Sequence, residues 1–432
     1  MTIYVSQNGR DEYNGKTKAQ AVRSIQKALS LLARQPDGVL CFTGKDYFLD
    51  APVLLTPAHN GLTLTTEDGT ALSGALPLGK LHWQKDAKTG IYQTALPAVP
   101  FFDRMFADGK EQTLCRYPNR KPGALPLEGA ATKAEIRLRA KSWANPAGGQ
   151  VRAIHQAGWG GNSFLILDRD EAADCGLRLQ WVGDNNRGDG MADALVVENV
   201  REELDAPGEW FFDKAARILY WLPPEGTEPD RCAITLSVQT ELLLLQGASP
   251  AEPVRRISVR GLTIRDTART LFPSPANHKK YEPLLRGDWC VVRSGAVFAE
   301  NAEDCSIENC IFQNIGGNAL FFSGYHRRHR LTGCTFSDIG ATAVQIAGKP
   351  SAVYEPSFWE HKLYRICRYT ARLYPIRRKP DRARRTTLPI FWWSKTISIG
   401  LVYWKNSPAG SICRSRTGFL FCTIPCTTVP AP

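Results

Sequence analysis

Between Asn301 and Ile346, apolar and polar residues alternate in short runs broken by Gly and Asn, and the run occurs twice. Ile307 to Leu320 (IENCIFQNIGGNAL) aligns with Leu331 to Val344 (LTGCTFSDIGATAV) at a spacing of 24 residues. Alternation marks strands with one buried face, and Gly and Asn mark the turns between them. A third copy, Val259 to Thr267 (VRGLTIRDT), lies 48 residues, or two periods, before the first. A short-strand repeat of this period predicts a solenoid. One coil cannot bury its apolar side alone, whereas stacked coils bury a continuous core. The pattern therefore predicts an all-β chain, a right-handed parallel β-helix with about three strands per turn.

Stacking places Cys310 over Cys334 and Phe312 over Phe336, all facing inward. Asp266, Asn314 and Asp338 also superpose, just before a turn. A ladder of polar side chains that satisfy the turn backbone explains them without catalysis. Nearer the start, Ala21, Val22, Ile25, Ala28, Leu29 and Leu32 recur at helical spacing, which predicts a helix capping the first coil. Val39–Phe42, Val53–Leu55 and Leu62–Thr65 read as strands of the first coils. From about residue 100 to 250 the rhythm is lost. Phe106 to Lys110 reads as a hairpin, and Trp210–Asp213 with Ile218–Leu222 as a strand pair. The expected division is 1–100, cap helix and first coils; 101–250, an inserted β-rich domain; 251–361, further coils; and 362–432, a basic tail. A long excursion from Leu271 to Trp289 is expected to help build a site, because solenoid loops gather on one face.

Composition changes this picture in one place. The chain of 432 residues carries a formal net charge of +12, which by itself suggests an anionic partner. Residues 362–432 hold 14 Lys and Arg against the single acid Asp381, and the rest is close to neutral. The charge therefore argues for neither a nucleic-acid partner nor a membrane surface. No apolar run reaches membrane-spanning length. The N-terminus enters a strand at once, so the expected location is the cytoplasm, or the periplasm or exterior if a leader is missing. Twelve cysteines without metal spacing suit reduced, buried thiols. No Walker, Rossmann or zinc signature occurs, and neither a cofactor nor a metal is expected.

Several segments resemble bacterial right-handed β-helix proteins of the pectate-lyase-like superfamily, glycoside hydrolase family 141 type. They are Tyr4 to Asp11 (YVSQNGRD), Ser73-Gly74 to Trp83, Arg116 to Asn119 (RYPN) and His155 to Trp159 (HQAGW). Further matches are Glu198 to Trp210, Leu219 to Gly226 (LYWLPPEG), Ser323 to Tyr325, and Pro350 to His361. The resemblance covers residues 1–361 and implies cleavage of a plant or microbial polysaccharide. It implies no catalytic residue here, because the family's proposed carboxylates lie on later coils.

Beyond His361 the patterning collapses into Arg-rich runs. A shift of reading frame between about 361 and 385 would explain it, and the genetic code constrains the test. Read one base out of frame, Phe391-Trp392 forces Leu, Trp392-Trp393 forces Val, Tyr403-Trp404 forces Leu and Trp404-Lys405 forces Glu. A genuine basic tail is the alternative.

Glycoside hydrolysis needs two carboxylates about 5 to 10 Å apart. Glu360, between Trp359 and His361, combines an acid with a sugar-stacking ring and a proton carrier. It and Asp338 are the candidate catalytic acids. Candidate substrate contacts are His155, Trp159, Asn162, Tyr325, His326, Trp359 and His361. The stretch His326-Arg-Arg-His329 reads either as an acidic-sugar site or as a solvated turn. A polysaccharide lyase of the same fold is the enzymatic alternative, although no acidic calcium cluster is seen. A non-catalytic carbohydrate-binding β-helix is the other. The expected partner is a poly- or oligosaccharide.

Overall fold

The computed structural model describes residues 1–33, 35, 37–121, 127–156, 161–182, 189–270, 281–282, 291–348, 397–399 and 403–404. The chain divides into two compact units. The first comprises Met1–Ala75, Gln239–Ala268 and Arg293–Pro432; the second comprises Leu76–Val238 and Arg269–Val292.

The first unit is built on three parallel sheets that the chain visits in turn. One sheet takes Thr2–Val5, Val39–Phe42, Thr63–Thr66, Ser258–Arg260, Ser306–Glu308 and His329–Thr332. The next takes Asp46–Phe48, Ala71–Ser73, Thr263–Arg265, Ile311–Ile315 and Thr335–Ile339. The last takes Val53–Leu55, Leu243–Gln246, Val297–Glu303, Leu320–Arg327 and Val344–Ala347. The 24-residue repeat is the register itself: Ile307 pairs with Leu331, Phe312 with Phe336, and Leu320 with Val344. Alternation sets which side chains go in. Val53 and Leu55 are buried, while Leu54 between them is 44% exposed. The inward side chains of all three sheets form one apolar core.

The 48-residue spacing has a different origin from the one expected. Val259 pairs directly with Ile307, so the two copies are neighbours and those residues make one turn, not two. The surplus length is the 269–292 segment, which belongs to the second unit. The N-terminal helix also starts later than its apolar spacing suggests. It runs Ile25–Leu32, with Ser24 capping the Lys27 N–H, and buries Ile25, Ala28 and Leu32 in the core. Val22 is instead held as extended chain: its N–H donates to Tyr4 O and its O accepts from the Ser6 N–H. Gly9 is required beside it, because a Cβ there would lie 2.3 Å from Val22 O.

Of the stretch beyond residue 348, Ile397–Ile399 and Tyr403–Trp404 are described. They add a parallel strand beside His329–Leu331 and beside Thr335–Phe336.

The second unit holds an eight-stranded sheet and a five-stranded antiparallel sheet. The hairpin of Met105–Ala107 with Lys110–Leu114 and the pair Glu209–Asp213 with Ile218–Leu222 form as their patterns predict. The first sheet buries Trp83, Phe102, Met105, Trp210, Leu219 and Trp221 on one side. The five-stranded sheet carries Gln150–His155 between Met191–Glu198 and Gly161–Arg169. Ile136 and Ala140 of the helix Lys133–Ala140 pack against it, as does Trp143. That helix begins at a capping box in which Thr132 and Glu135 satisfy each other's backbone N–H.

Candidate functional site

Among the candidate residues in the first unit, Asp338 sits in the column of turns. Asp266, Asn314 and Asp338 all adopt the left-handed conformation, with φ of 58°, 53° and 53°. Asp and Asn tolerate that region better than other non-glycine residues, which is why they recur there. Asp266 is buried; it accepts from Asn314 Nδ2 at 3.1 Å and from Ser73 Oγ at 3.2 Å. Asp338, the outermost of the three, is exposed. Asp266→Ala removes the acceptor of two buried donors. The expected loss is about 2 kcal/mol, read as a lower urea midpoint.

Tyr325 and His326 lie on neighbouring positions of one strand, but in different surroundings. Tyr325 is half-buried, and its hydroxyl donates to Glu303. Glu303 also receives Arg255 at 3.1 Å and Arg328 at 3.2 Å. Burial pushes the Glu303 carboxyl up, but Tyr325 and the two arginines prevail and hold it below its ordinary value. His326 does not lie in a solvated turn. It and His329 are each 4% exposed, against the edge and face of the Phe322 ring. A bulge between Glu300 and Ala302 causes this, because it shifts the alternation and brings Ala302 opposite His326.

In the second unit, His155 and Asn162 come together across the hairpin of Gln150–His155 with Gly161–Arg169. Both are buried, and Asn162 Nδ2 donates to Gly190 O at 3.1 Å. Trp159, Trp359, Glu360 and His361 lie outside the described residues.

The same unit contains an acid–arginine cluster. Arg269 joins two of its carboxyls: its N–H donates to Asp103 Oδ1 at 3.2 Å and its Nη1 to Glu198 Oε2 at 3.0 Å. Arg152 Nε lies 3.5 Å from the same Glu198 oxygen. Beside them, Arg104 grips Glu111 through two bonds of 2.7 Å. Burial opposes the charge on Glu198, but Arg152, Arg269 and Arg116 overcome it and hold the carboxyl down at about 2. For Asp103 burial wins over Arg269 and Arg104, and the carboxyl is raised. Neighbouring carboxyls with opposite proton preferences are the pattern of acid–base pairs. Here both are about 95% shielded, at 4% and 5% exposure, so their first effect is to order the unit. Glu209 serves likewise, accepting from the N–H groups of Arg116, Asp205 and Ala206; burial still raises it to about 7.

Sequence reasoning passed over Asp103, Arg269 and Glu303 as site residues. Glu198 and Glu209 were visible as members of the 198–210 segment but carried no role there. Among the described residues, no group of three or more His, Cys, Asp or Glu could hold a metal ion. No described helix is long and apolar enough to cross a membrane.

No family model matches the sequence, and no curated protein matches it. A solved structure of a glycoside hydrolase superposes with a TM-score of 0.63 at 18% identity, covering 83% of this chain and 70% of that one. The structure of XylC with xylose matches at a TM-score of 0.44 and 12% identity, over 80% of this chain and 51% of the other. The first likeness defines the class of fold: a mainly β chain with parallel sheets, of the kind found in that glycoside hydrolase.

Proposed function

We propose that the first unit is a right-handed parallel β-helix of the pectate-lyase-like type, and that the chain is a carbohydrate-active protein, a glycoside hydrolase of the family 141 type. The observation that carries this reading is the cyclic order of the three parallel sheets, with equivalent residues in register every 24 positions. The shared fold with a glycoside hydrolase supports it. A plant or microbial polysaccharide is the proposed substrate. Asp338, exposed at the end of its column, and Glu360 are the proposed acids. His155, Trp159, Asn162, Tyr325, His326, Trp359 and His361 are the proposed contacts. Asp338→Asn is expected to lower turnover at least 100-fold with the urea midpoint unchanged. Reducing-sugar release from a panel of xylans, pectins and fucosylated glycans tests the activity. Release by eliminative cleavage, seen as an unsaturated product, would instead favour a lyase, and binding without turnover a non-catalytic module.

The reading frame is also proposed to slip between about residues 361 and 385. Resequencing source DNA across the codons for residues 355–390 decides this. A missing or extra base restores further coils, and an unchanged sequence makes the basic tail genuine.

A further inference from the structure

The motif His326-Arg-Arg-His329 finds no role in the polysaccharide reading beyond a proposed contact, yet its two rings form a closed chain of hydrogen bonds. The Cys305 N–H donates to His329 Nδ1 at 3.3 Å, so that nitrogen carries no proton. His326 Nε2 lies 2.9 Å from Ser323 O, which can only accept, so that nitrogen does carry one. The rings meet through His329 Nε2 and His326 Nδ1 at 3.0 Å. With the outer ends fixed, one neutral arrangement remains: His329 Nε2–H donates to His326 Nδ1. An added proton has no good place. On His326 Nδ1 it would face the His329 N–H, and on His329 Nδ1 it would face the Cys305 N–H.

We propose that His326 and His329 form an acid-sensing latch, which holds the turn at 303–305 against the strands at 320–332 only while both rings are neutral. Taking up one proton turns two donors on each other and parts the rings. The surroundings do not absorb the charge cheaply. Phe322 packs on both rings, and Ala299 and Cys305 lie beside the small interior space that His329 lines. The charged and titratable groups nearby are Glu303, Asp304 and Cys305 on the preceding coil, and Tyr325, Arg327, Arg328 and Arg330 on the latch's own strands. Arg255 of the coil before adds to these. Glu303 and Asp304 are engaged with arginines, so little free negative charge faces the rings. Burial, and then His329 itself, press the proton affinity of His326 well below the ordinary imidazole range. His329 is pushed down to about 4 by burial, against the pull of the Cys305 and Ala302 backbone and of Asp304 and Glu303.

Both rings are depressed, so the latch is complete above the ordinary imidazole value and is lost as the pH falls towards 4. His329 alone makes the opening equilibrium about 30-fold more favourable at pH 5 than at pH 8. Hydrogen exchange of amides 303–308 and 320–332 in the full chain, corrected for the intrinsic pH dependence, reads this directly. The expected result is a rise of at least 30-fold in wild type and less than about 3-fold in His326→Gln/His329→Gln. Equal pH dependence in the two proteins would overturn the proposal. Should the double variant not fold, NMR of wild type labelled at histidine Cε1 still decides. Two rings should stay neutral to below pH 5 and then titrate with loss of the native signals. Both rings titrating near 6.5 with native signals kept would overturn the latch.

Discussion

Glu198→Ala is expected to destabilise the second unit by about 3 to 5 kcal/mol, the range for removing one partner of a buried charge cluster. Glu198 is the carboxylate on which Arg269 and Arg152 converge, at 3.0 and 3.5 Å. Without it, two guanidinium groups that are themselves only 17% and 24% exposed lose their counter-charge. Neither can turn fully to water. Glu198→Gln keeps the shape but not the charge, and should lose an intermediate amount. Urea denaturation followed by tryptophan fluorescence measures both; a loss below 1 kcal/mol for the alanine variant would sink the account. The same residue predicts an acid limb. Its folded-state value of about 2 lies below the ordinary 4.5, so its contribution is complete above 4.5 and vanishes as the pH falls through 2. The gap corresponds to about 3 kcal/mol. Wild type should lose this between pH 4.5 and 2, and Glu198→Ala should not.

The contrast between the units explains what could be read from sequence. In the first unit the same geometry recurs every coil, so each residue is constrained by its equivalents and leaves a period in the sequence. Cys310 and Cys334, both fully buried, and the paired Phe312 and Phe336 were legible for that reason. The 48-residue spacing misled because an insertion of one period's length leaves the phase unchanged, and so looks like an unread coil. Val22 misled because an apolar residue bridged to Val5 in extended chain has the same spacing as one on the helix that follows. His326 and His329 misled because the bulge at Glu300–Ala302 reverses the inward face locally, and two arginines between them suggest solvent. In the second unit no repeat exists. The partners of Glu198 come from positions 152 and 269, and no local pattern links such distant residues.

Phe312→Ala is expected to cost the first unit about 3 to 5 kcal/mol, since a fully buried phenylalanine leaves a cavity that stacked coils cannot close. The Phe312 and Phe336 rings are parallel, with centroids 4.8 Å apart and planes 6° apart, and both are fully buried. That distance is the strand spacing of a sheet, so the stack follows directly from the register. Phe336→Ala should cost a similar amount, because it empties the same column one coil later. The double variant should cost less than the sum by about 0.5 to 1.5 kcal/mol, the worth of an aromatic pair beyond its burial. Chemical denaturation of the four proteins in the cycle measures this coupling. Additivity within 0.3 kcal/mol would mean that the rings are held by their own coils and not by each other. A coupling in the expected range ties the 24-residue repeat to the core, because it appears only if residue 312 and residue 336 share one cavity.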